Sequence, residues 1–278
     1  MTALTSTGNA DPTITLAPTG TAGPLTTAAT IAVRGLRQLA RTPQVLGISV
    51  VQSVLFLLMF RYVIGGAIGV QGVAYVDFLV PGFVVSGLIF TAGGSAVAVA
   101  EDAASGVYDR LRSLPIADVA VLAGRVLGDA TLMIFVSLTT LLVGLAVGFR
   151  FGASTADVIA ALGLVGVYAI ALAWVFVWLG LVSGSAQAAQ GLGIIGVPFS
   201  FLSSAFVPTH TMPAMLRVFA EHQPLTFMVN AGRGLLTGPA ATATFDHSLS
   251  YYVIGSLLWS LALVAIFAPL AVHAYRRR

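Results

Sequence analysis

The chain has 278 residues, 58% of them hydrophobic and only 8% charged, with a formal net charge of +3. Soluble domains carry about 25% charged residues, so too little polar surface remains to cover a globule in water, and the expected solvent is lipid. All 13 basic residues are arginine, and lysine and cysteine are absent, which excludes a Walker A nucleotide loop, a disulfide framework, a thiolate metal site and a cysteine nucleophile.

Residues 1–24, rich in Thr, Ala, Gly and Pro, read as a disordered tail. No basic stretch followed by an apolar one occurs there, so no cleaved signal peptide is expected. Leu25 to Arg41 reads as a helix lying in the membrane interface. Arg34, Arg37 and Arg41 share one face, and Leu25, Ala29, Ala32, Leu36 and Leu39 share the other. The same arginines would also follow from topology alone.

A membrane-crossing helix needs about 20 mostly apolar residues. Six segments meet this: Val45–Ala67, Phe78–Ala100, Val119–Phe149, Val158–Ser183, Gly191–Val207 and Tyr251–Ala274. The third is expected to begin with a short interfacial piece, and the fifth is short and broken by Pro198. Between the second and third lies EDAASGVYDRLRSLPI, residues 101–116, the densest run of charge in the chain. Val107, Leu111 and Leu114 form an apolar stripe, Asp109 and Arg112 are spaced to pair, Pro115 ends the helix, and Asp118 can cap the next. Such a helix suits docking into a groove on a partner; an ordinary charged loop that fixes orientation has the same composition. Phe206–Leu236 mixes apolar helical patches with Pro208, Pro213 and Pro224, and reads as a re-entrant or interfacial helical hairpin. The fold class is therefore all-α: a polytopic membrane protein with six spans, an N-terminal interfacial helix and an outer re-entrant hairpin.

With an even number of spans, nine arginines fall on one side (Arg34, Arg37, Arg41, Arg110, Arg112, Arg125, Arg276, Arg277, Arg278) and four on the other (Arg61, Arg150, Arg217, Arg233). The richer side is expected to be cytoplasmic, with both termini. Ionisable groups at membrane depth are costly and mark function. Nearly all ten acids lie in the tail, loops or span ends; Asp129 alone lies well inside an apolar run. No helix carries a His-Glu-x-x-His zinc pattern, and neither a serine intramembrane-protease pattern nor a potassium-channel filter is present. No enzyme chemistry, resident metal or nucleic-acid surface is expected. Phe56, Phe60, Phe83 and Phe90, at helical spacing, read first as packing or lipid-facing residues. The many span glycines read first as points of close helix approach.

Several ordered segments carry a resemblance: FRYVIGGAI ending the first span, DFLVPGFVVSG opening the second, EDAASGVYDRLRSLPI, then FVPTHTMPAML and HQPLTFMVNAGRGLL. Their order and spacing resemble the ATP-binding-cassette type 2 exporter permeases, in particular the daunorubicin-resistance-type branch. The likeness covers nearly the whole chain after the first two dozen residues; the long polar tail departs from it. The resemblance implies one permease domain over 25–278. It would pair as a homodimer or with a related chain in the cell membrane, among lipids, above a cytoplasmic ATPase subunit that holds ATP and Mg. Ala103–Leu114 would be the coupling helix, with Glu101, Val107, Tyr108, Arg110, Leu111, Arg112 and Leu114 meeting the ATPase. Leu25–Arg41, with Arg34, Arg37 and Arg41, would be the connecting helix. The cargo would be an amphipathic drug or lipid-like molecule, exported by alternating access. A motor-independent channel and a secondary transporter are the rival readings.

Overall fold

A chain segment in hydrocarbon has no water to satisfy its backbone, so each long apolar run closes its own hydrogen bonds as a helix. The computed structural model describes residues 43–65, 74–113, 116–243 and 245–277. The tail, the Leu25–Arg41 segment with Arg34, Arg37 and Arg41, and Leu114 lie outside them. The described residues are helices and loops, with no strand among them.

The helices are α1 (Pro43–Met59), which runs into a π-helical turn (Phe60–Ile64), α2 (Tyr75–Ala104), α3 (Val107–Arg112), α4 (Asp118–Ala146) and α5 (Thr155–Val182). After these come α6 (Ala186–Ile194), α7 (Gly196–Phe201), α8 (Ala214–His222), α9 (Pro224–Thr237), α10 (Pro239–Thr242) and α11 (Leu249–Arg277). Four of them, α2, α4, α5 and α11, are long and apolar enough to cross a membrane. The segment expected to be the first span is the shorter apolar helix α1 with its π turn.

The segment expected to be the fifth span divides into α6 and α7 at Ile195. Pro198 sits three residues into α7, where a restarting helix needs no backbone donor. The expected interfacial piece before the third span is absent from the described residues: Ile116 and Ala117 lead directly into α4. Asp118 is the first residue of α4 rather than its cap; Ala117 holds that position and makes no side-chain cap bond. By contrast, α5 begins with a complete capping box, Ser154 and Asp157 each bonding the other's backbone N–H.

Helix α2 is the centre of the bundle. It packs against α1, α4, α5, α6, α7 and α9, and 72% of its most apolar stretch is buried, against 11% for α11. Glycines permit this crowding. A Cβ on Gly82 would lie 2.1 Å from the Ala205 carbonyl oxygen, and one on Gly193 would lie 3.1 Å from the Gly93 Cα. Phe60 and Phe83 join Phe206 in a ring cluster, with centroids 4.8–5.4 Å apart. Phe56 meets Phe90 at 6.0 Å. These aromatics pack α1 and α2 together.

The bundle has two distinct ends. The loop end holds α3, the start of α4 and the C-terminal turns of α11. The far end holds α8–α10, where the Gly152 N–H bonds the Leu236 carbonyl at 3.2 Å and the Arg150 N–H approaches Asp77 Oδ1 at 3.4 Å.

Candidate functional site

The loop end is where the structure gathers the predicted coupling residues. Glu101 is exposed on the last turn of α2, and its carbonyl accepts the Ser105 N–H at 2.9 Å. The chain reverses at Gly106, whose φ of +72° suits glycine best, and α3 follows at once. Tyr108 points inward and is buried, with its ring edge-on to Tyr275 of α11 at 5.4 Å. Burial pushes the Tyr108 hydroxyl above its usual range. Leu111 also packs against the core, and Val107 is half-buried.

The apolar stripe is thus turned largely toward the bundle. Asp109 and Arg110 form the exposed side of α3. Arg112 does not pair with Asp109 among the described residues; its guanidinium lies over the Tyr275 ring at 4.9 Å. Tyr108 Oη, Tyr275 Oη and Arg112 Nη2 are buried with no hydrogen-bond partner among the described residues.

Beneath α3 sits a charged clamp. Arg125 of α4 bonds Asp102 of α2, and its Nε bonds Asp129 at 3.0 Å one turn along its own helix. Asp129 also accepts the hydroxyl of Ser95 on α2. The acid buried in an apolar run is therefore a paired group that ties α2 to α4. Arg276 of α11 bonds Asp118 at 2.8 Å. These pairs tie α2 to α4 and α4 to α11, and α3 packs beside them through Tyr108 and Arg112 on Tyr275 of α11.

Sequence reasoning missed a second arrangement, at the far end. Pro81 has no N–H, so the carbonyl of Asp77 one turn earlier loses its helical donor. The Thr237 hydroxyl approaches that carbonyl at 3.4 Å, and Arg233 Nε bonds the next carbonyl, Phe78, at 3.1 Å. Arg233 is buried, with its guanidinium 3.7 Å from the centre of the Phe78 ring. The signal available was Pro81–Gly82 inside an apolar run, a sign of an opened helical turn. Nothing in the sequence said which side chain would fill it. Among the described residues, no group of three or more His, Asp or Glu side chains could hold a metal ion.

Residues 27–237 match the family model for ABC-2 type transporters. The chain is 32% identical over 231 residues to the daunorubicin resistance ABC transporter permease protein DrrB1 of Streptomyces coeruleorubidus, covering 82% of this chain and 78% of that protein. It is 25% identical over 235 residues to the probable doxorubicin resistance ABC transporter permease protein DrrC of Mycobacterium tuberculosis, covering 82% of this chain and 80% of that one. Four membrane-length apolar helices and a matching family model agree: this is a membrane protein, and the chain belongs to the ABC-2 type transporter family.

Proposed function

We propose that this chain is the membrane-spanning permease subunit of an exporter driven by a separate ATPase. The observation that carries the reading is the short helix α3, packed on Tyr275 of α11 beside ion pairs that join α2 to α4 and α4 to α11. Its exposed Asp109 and Arg110 offer a charged contact surface, and Glu101 lies beside the turn that aims it. ATP-driven closure of a cytoplasmic subunit would press on this surface. The press would travel through Arg125 and Tyr108 into the long helices and rock the permease between inward-facing and outward-facing states.

In this reading the chain crosses the cell membrane six times, with α1 and the α6–α7 pair completing the spans, and both termini are cytoplasmic. The segment 206–236, which includes α8 and α9, is a re-entrant hairpin on the outer side. Two permease chains, identical or related, form the transport unit with their lipids, and ATP and Mg belong to the partner subunit. The outward apolar faces of α1 and α11, including Ile48, Leu55, Leu258 and Leu261, suit contact with lipid or a second permease. The relatives are named for daunorubicin and doxorubicin resistance, which supports an amphipathic drug or lipid-like cargo.

The test is Arg110→Glu, which reverses charge on the exposed side of α3 and leaves the packed side alone. Co-purification of the ATPase subunit and substrate-stimulated ATP turnover should fall at least about tenfold, the scale of one lost charge-assisted contact, with membrane insertion unchanged. ATPase binding and coupling at native levels in this variant would remove the basis of the proposal.

A further inference from the structure

At the far end, α8, α9 and the start of α11 surround a cavity of about 1070 Å³, large enough for a drug-sized group. His222, Asp246 and His247 stand exposed at its rim, while Phe78, Ser204 and Arg233 are buried at its floor. The charges are unevenly matched. Glu221 bonds Arg217 at 2.6 Å, and Asp246 lies 4.0 Å from the same guanidinium. The two carboxylates of the cavity thus share one arginine.

Arg233 has no such partner among the described residues. Its acceptors are neutral oxygens: the Phe78 carbonyl at 3.1 Å, the Ser204 carbonyl at 2.8 Å and Asn230 Oδ1 at 3.0 Å. A guanidinium has five N–H donors, and these bonds use three of them. The bond to the Phe78 carbonyl needs no charge, because a neutral amide would serve it. A cation held out of water without a carboxylate is costly, and an incoming anion would offset that cost.

We infer that this cavity binds the anionic group, phosphate or carboxylate, of an amphiphile, with Arg233 at its floor as the counter-charge. The aromatic wall of Phe245, Tyr251 and Tyr252 suits the apolar part of the same molecule. The inference concerns binding to the isolated chain and is independent of whether α3 docks a motor.

The test uses the purified full chain in detergent and native mass spectrometry. The probes are the anionic lipid dihexanoylphosphatidylglycerol and the zwitterionic dihexanoylphosphatidylcholine. The native chain should prefer the anionic lipid by at least about tenfold, the scale of a charge-assisted hydrogen bond. Asn230→Asp places a carboxylate against Arg233 with almost no change of shape; it should abolish that preference without lowering the unfolding midpoint. Ala243→Trp, on the exposed rim, blocks the cavity without touching Arg233 and should also abolish it. Competition by millimolar inorganic phosphate would assign the site to free anions. Anionic-lipid binding that phosphate does not displace would assign it to a lipid headgroup. Absence of preference in the native chain, or undiminished preference in both variants, overturns the inference.

Discussion

Replacing Arg125 with methionine keeps most of the side-chain volume and removes the cation of the α2–α4 clamp. Asp129 and Asp102 would then face one another without it, their side chains 13% and 36% exposed in the native fold. Breaking a fully buried pair costs about 3–5 kcal/mol. Asp102 is open enough to hydrate, and exposed ion pairs contribute only about 0–1 kcal/mol, so the expected cost is about 2–3 kcal/mol. Neutralising the acids as well, in Arg125→Met with Asp102→Asn and Asp129→Asn, should recover most of that loss, because no uncompensated charge remains. The chain has three tryptophans and no cysteine, so denaturant unfolding in detergent can be followed by intrinsic fluorescence without a thiol dye. A single variant within about 0.5 kcal/mol of the native chain, the range of ordinary surface substitutions, would refute the clamp. A triple variant no more stable than the single would refute the electrostatic explanation.

Gly82→Ala sets a methyl 2.1 Å from the Ala205 carbonyl oxygen, and the forced backbone shift should cost about 1–3 kcal/mol or more. Gly94→Ala, with nothing within 4 Å of the new carbon, should leave stability unchanged or raise it by up to about 1 kcal/mol. The same fluorescence assay compares the two, and equal effects would count against close packing as the role of Gly82. Ser154→Ala removes the capping box of α5 and should cost about 0.5–2 kcal/mol; hydrogen exchange of the first α5 turn should rise with it.

Local pattern was enough for some of this fold. The apolar runs behind α2, α4, α5 and α11 located those helices to within a few residues, because in hydrocarbon a long apolar segment has little choice but helix. The short helix was legible only in part: it was expected over Ala103–Leu114, but Ala103 and Ala104 belong to α2 and α3 runs from Val107 to Arg112. The facing of α3 was not legible. Its stripe marks an amphipathic helix, but a stripe does not say whether the bundle or a partner covers it; here Tyr108 and Leu111 turn inward. Partners far apart in the chain were equally hidden. Asp102 is 23 residues from Arg125, and Phe78 is 155 residues from Arg233. The division at Ile195 was marked by Pro198, which has no N–H to give the Ile194 carbonyl; the close approach of Gly196 to Ile89 on α2, 2.6 Å for an added Cβ, was not legible.

The proposed coupling requires the exposed side of α3 to face the cytoplasm, where an ATPase can grip it. The absence of native cysteine permits a direct measurement: Arg110→Cys and His247→Cys, each labelled with a membrane-impermeant maleimide in intact cells and in inverted vesicles. Position 110 should react only in inverted vesicles and position 247 only in intact cells. Labelling of position 110 from outside intact cells would put α3 beyond the reach of any cytoplasmic motor and rule out the proposed coupling.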